Sequence, residues 1–252
     1  MSDFATLVNR AGQLCRAIAS RDLVGHELYI IRQSEIAAEY GTAEGCEAYT
    51  SPCLDLYLRE FVGPRWRGRG PCLVLNDLAL ADVHPEDLEA VVLGITIHEL
   101  AHILDRPTLY RDRRDAEPDR LKFEALVLAD EVGQPRPTVA PQPYAGHGAL
   151  FIRIALHLRQ RAREHGVILL ANDLCGGPRY GLSPASAYRA ALGDEPTRLA
   201  HLTFHEIAAI KPPTEFTTLW ASDVAAHDHS LSGVTQRGSA ATEVEESGVG
   251  LR

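Results

Sequence analysis

Between Val91 and Leu104 the chain is apolar on almost every side of a helix, yet this stretch holds His98-Glu99-Leu100-Ala101-His102. No other segment restricts the fold as much. A helix that is apolar all round must be surrounded by other elements. Hiding two imidazoles and a carboxylate in it is costly unless something binds them. The start of the helix is marked. Asp82 or His84 can cap it, Pro85 fits the first turn, and Glu86 and Asp87 place acid at its positive end. It stops near Asp105-Arg106-Pro107. Residues four apart share one helix face, so His98 and His102 point the same way and can hold one metal ion. Glu99 projects beside them and can move a proton from an attacking water to a leaving amine. In 252 residues with 11 His, chance would produce such a motif roughly 4% of the time. A metal site on a buried helix is therefore preferred to coincidence.

A catalytic zinc takes three protein ligands and leaves one position open. Two residues compete for the third place. One is His147, in Gly146-His147-Gly148-Ala149-Leu150-Phe151, at the start of an apolar helix. The other is Glu124, in Phe123-Glu124-Ala125-Leu126, on a helix of its own. H-E-x-x-H with a downstream H-G-x-x-F resembles the SprT-like zinc metallopeptidases. The likeness covers two short segments. It implies a zincin-like fold, Zn2+ held by His98, His102 and His147, Glu99 as catalytic base, and a peptide or protein substrate. The Cys-rich ribbon of many members is not seen in this sequence, and the net charge is -9. The resemblance implies peptide-bond hydrolysis, while these two departures from the family argue against a DNA-associated role. Glu124 as third ligand would instead resemble the gluzincins, which commonly carry Asp four residues further on. Position 128 here is Leu.

Acidic charge is a poor match for phosphate backbones, and the basic stretches Arg65 to Arg69 and Arg111 to Arg114 are short and read as solvated loops. No basic leader precedes an apolar run at Met1-Ser2-Asp3-Phe4, and no apolar run is long enough to span a membrane. Five cysteines without a C-x-x-C pair read as buried thiols in a reducing compartment. The expectation is a cytoplasmic protein. His201 and His205, four apart and followed by Glu206, read as exposed helix residues rather than a second metal pair. Asp105 can orient a ligand histidine or cap its helix. Tyr110 and Tyr144 are packing residues or oxyanion donors.

Apolar spacing predicts helices over 3–20, 28–40, 119–132, 147–165, 184–192 and 196–210. Residues 53–62 fit helix or strand. Cys72-Leu73-Val74-Leu75 reads as a buried or edge strand. It is either a core strand or an edge open to an extended substrate. Residues 133–146 are Pro-rich and irregular. The expected fold is α+β with helix dominant: a small mixed sheet packed on the buried motif helix. A zincin-like domain over 1–221 precedes a Ser/Gly-rich, acidic tail over 222–252, too poor in large apolar residues to order itself. The expected activity is zinc-dependent hydrolysis of peptide bonds. Two other readings stay open. One is a binding or assembly protein on a zincin scaffold, related to phages or mobile elements, with a structural metal. The other is a hydrolase of non-peptide amides.

Overall fold

The computed structural model describes residues 4–23, 26–36, 47–51, 61–67, 70–105, 147–169 and 183–226. Helix α1 spans Phe4–Ile18 and buries Leu7, Val8, Ala11, Leu14, Cys15 and Ile18, the stripe its spacing predicts. Three strands follow: β1 (Tyr29–Arg32), β2 (Ala48–Ser51) and β3 (Cys72–Leu75). Helix α2 (Leu88–Asp105) carries the motif. Helix α3 (Ala149–Glu164) begins two residues after His147. Then come α4 (Ala185–Leu192), α5 (Glu195–Arg198), α6 (Phe204–Ala209) and a last helix, α7, over 214–226. The class is α+β and helix-dominant, as expected.

The sheet is mixed, in the order β1-β3-β2, with β1 parallel and β2 antiparallel to β3. Its two faces explain why β3 is apolar at every position. Leu73 and Leu75, with Ile30 of β1, join the main core shared by the helices. Cys72 and Val74, with Tyr29 and Ile31, join a smaller core that Tyr49, Phe61 and Trp66 border. A strand covered on both faces loses its alternation. β3 is also paired along both edges, so it is a core strand and has no edge to offer a substrate. Gly70 sets the sheet from below: a Cβ there would lie 1.7 Å from the Glu27 carbonyl oxygen. Only a glycine allows that approach, and one residue later the Tyr29 amide donates to the Pro71 carbonyl at 3.1 Å.

Four sequence expectations need correction. Residues 28–36 are not helical: β1 is followed by a 3-10 turn at Gln33–Glu35. The helix expected over 196–210 is two short ones, because Thr203 and Glu206 form a capping box that starts α6 afresh. Regular α2 geometry begins at Leu88 rather than Pro85. The His84 carbonyl nevertheless accepts from the Leu88 amide at 3.0 Å, so the first turn is in place. Helix α7 runs past residue 222, and Asp223 is buried, accepting hydrogen bonds from the Ser183 amide and hydroxyl and from the Tyr188 hydroxyl. The segments 37–40, 53–60, 119–146 and 227–252 lie outside the described residues. So do Glu124, Tyr110, Tyr144, Cys46, Cys53 and Cys175. No helix among the described residues is long and apolar enough to cross a membrane. Cys15 and Cys72 are buried and form no disulfide, and burial pushes the Cys15 thiol up to about 12.

Candidate metal centre

Helix α2 packs against α1, α3 and β2. Ile97, Leu100, Ala101 and Ile103 are fully buried, and His98 and His102 meet Phe151 of α3, which places them on the side toward that helix. His147 enters from the turn that opens α3. Gly148 is the N-cap, its carbonyl accepting from the Ile152 amide at 3.1 Å. His147 is thus fixed just outside the helix rather than in a loose loop.

The three imidazoles converge. His98 Nε2 lies 3.2 Å from His102 Nε2 and 3.1 Å from His147 Nε2. Ring centroids are 4.9, 5.1 and 4.7 Å apart around the triangle. An imidazole nitrogen is either a donor or an acceptor, so His98 Nε2 cannot donate to one neighbour and accept from the other. A cation shared by three lone pairs satisfies all of them. Zinc with Zn–N bonds of about 2.0–2.1 Å in a tetrahedron would hold its nitrogens about 3.3–3.4 Å apart. The observed separations are close to that. Among the described residues, these three form a group able to hold a metal ion, with their ligand atoms all within 4.8 Å of one another.

Phe151 forms the floor. It is fully buried and one turn beyond His147. It stacks on His102 at 4.3 Å and meets His98 at 5.0 Å and His147 at 4.7 Å edge-on. The downstream H-G-x-x-F element therefore supplies both a third imidazole and the apolar surface beneath all three. The motif was visible in the sequence. The floor was not, because it depends on where α3 crosses α2.

Glu99 lies on α2 beside this face, an i, i+3 neighbour of His102. It is buried, and desolvation pushes its carboxyl up to about 8. A nearby cation would draw that value back down. A carboxyl whose charge depends so strongly on its surroundings is suited to taking and returning a proton. His201 and His205 are both exposed, and the Glu206 carboxylate is taken up by the Thr203 amide and hydroxyl. They form no second centre with it. Asp105 ends α2 and is half-buried. Comparison with protein-family models, with curated proteins and with solved structures gives no match.

Proposed function

We propose that this chain is a zinc-dependent peptidase of the zincin type, similar in its site to the SprT-like metallopeptidases. The observation that carries this reading is the convergence of His98, His102 and His147 through their Nε2 atoms, with Glu99 on the same helix. The three imidazoles are a donor set suited to zinc. Bound zinc supplies a Lewis acid that polarises a carbonyl and eases deprotonation of water near neutral pH. Glu99 takes the proton from the attacking water and hands it to the leaving amine. Phe151 closes the underside of the imidazoles to water, which strengthens the electrostatic interactions above it. An Nε2 set drawn from one helix and from the residue just before the cap of another fits a site whose ligands are prearranged by the fold.

The test is metal analysis of the purified chain together with cleavage of an unfolded protein such as casein. Stoichiometric zinc and cleavage that Glu99→Gln abolishes, with zinc retained, are expected. Zinc bound without any hydrolysis would favour the assembly-protein reading. A chain with no metal affinity would defeat both.

A further inference from the structure

Away from the histidine cluster, α3 carries a second unusual feature. Arg153, His157 and Arg161 recur every four residues on one face, and all three are buried. Arg153 grips Glu195 of α5 with two parallel hydrogen bonds, Nε to Oε1 at 2.8 Å and Nη2 to Oε2 at 3.1 Å. Its Nη1 donates to the carbonyls of Ile207 and Ile210 at 3.0 and 2.8 Å. His157 Nε2 meets Glu195 Oε1 at 3.0 Å. Arg161 donates to the Ile18 carbonyl at 2.8 Å and to Asp22 Oδ2 at 3.2 Å, and stacks over the Phe204 ring at 4.2 Å. Asp22 Oδ1 in turn accepts from the Phe204 amide at 2.6 Å. The row ties α3 to the end of α1, to α5 and to α6.

We propose that this row is a register lock that positions His147 against His98 and His102. The proposal rests on reading the three imidazoles as a metal centre. The contact between α2 and α3 belongs to the apolar core. Apolar burial is non-directional, so it does not by itself select one rotation or one height of α3. The charged row does. Turning α3 by one residue, or sliding it by one turn of about 5.4 Å, would pull both guanidiniums from their buried carboxylates. The same slide would carry His147 away from nitrogens that now lie 3.1 Å from it. Buried ion pairs can often be replaced by apolar residues without loss of stability, and fixing register is their best-attested use. Arg153 and Glu195 are positioning residues here, acting through α3 rather than on a substrate.

The lock is tested by Arg153→Met combined with Glu195→Gln. The pair removes both charges but leaves an acceptor for His157. Expected are a retained cooperative unfolding transition, zinc affinity about tenfold weaker by competition with a chromogenic chelator, and faster amide exchange over 147–152 in the metal-free chain. Tyr188→Phe, which loses its hydrogen bond to Asp223 and leaves the row's hydrogen bonds in place, should lower stability and leave zinc affinity unchanged. If the double variant fails to fold, Arg153→Lys, which keeps the charge and loses the fork, carries the same expectation. Unchanged zinc affinity and unchanged exchange in a folded variant would overturn the lock. A wild-type chain that binds no zinc would remove the metal reading, and the exchange measurement then decides the lock alone.

Discussion

Phe151 touches all three imidazoles of the candidate centre, so its loss has two separable effects. Phe151→Ala should cost about 3–5 kcal/mol of stability in urea titration. It should also weaken zinc binding, because the rings lose the surface that holds their orientation. His98, Glu99 and His102 were readable from the sequence because helix geometry alone brings them together. His147 was readable as a candidate only, in competition with Glu124, since nothing local links position 147 to position 98. The row of Arg153, His157 and Arg161 lies outside what the sequence alone predicts. Its signal was present in the four-residue spacing, but basic residues between apolar ones ordinarily mark a solvent face. Only the carboxylates of Asp22 and Glu195, from distant parts of the chain, show that this face is internal.

At the scale of elements, helices with one apolar stripe were legible and the sheet was only partly so. The spacing of Leu28, Ile31 and Ile36 imitates a helix because Ile30 and Ile31 face different cores, so β1 shows no period of two. β2 was missed. The break before α6 could have been found, since Thr203 with Glu206 is the S/T-x-x-E signature of a helix start. Gly70 gives the sharpest test of the sheet. Gly70→Ala should displace the backbone at Glu27 and lower the unfolding midpoint well beyond an ordinary surface substitution. The tail boundary gives another. Asp223→Ala removes the acceptor that the buried Tyr188 hydroxyl and the Ser183 amide and hydroxyl share, and should cost about 1–3 kcal/mol by chemical denaturation, although composition places this residue in a tail.

For the molecule as a whole, the internal ionic row makes stability depend on acidity in a definite direction. Burial lowers the His157 pKa below its ordinary 6.5 and outweighs the pull of Glu195. Burial raises the Glu195 carboxyl, but hydrogen bonds from His157 and Arg153, with their charges, outweigh it and hold the group below its ordinary 4.5. Both folded values are depressed, so both contributions are complete above the unfolded values and are lost as pH falls through the folded ones. The row's own contribution to stability should be level above about pH 7, begin to decline below about 6.5, and fall further below about 4.5. The difference between the wild type and His157→Gln, followed by urea midpoints from pH 7 to 5, isolates the first step. A flat difference would show that His157 does not carry it.

The three candidate ligand positions are not equivalent in the chain. His98 and His102 are one helical turn apart, so joining them closes no loop. His147 stands far along the sequence, just before the start of another helix. A metal held by all three is therefore a clip, and the loop-closure entropy it removes from the unfolded chain comes through His147. Ligand-linked stabilisation of about 2.7 kcal/mol is expected at a hundredfold excess of zinc over its dissociation constant. His147→Ala should abolish most of that gain while His98 and His102 still bind zinc weakly. Thermal unfolding with and without zinc would then separate affinity for the ion from the work the ion does as a cross-link.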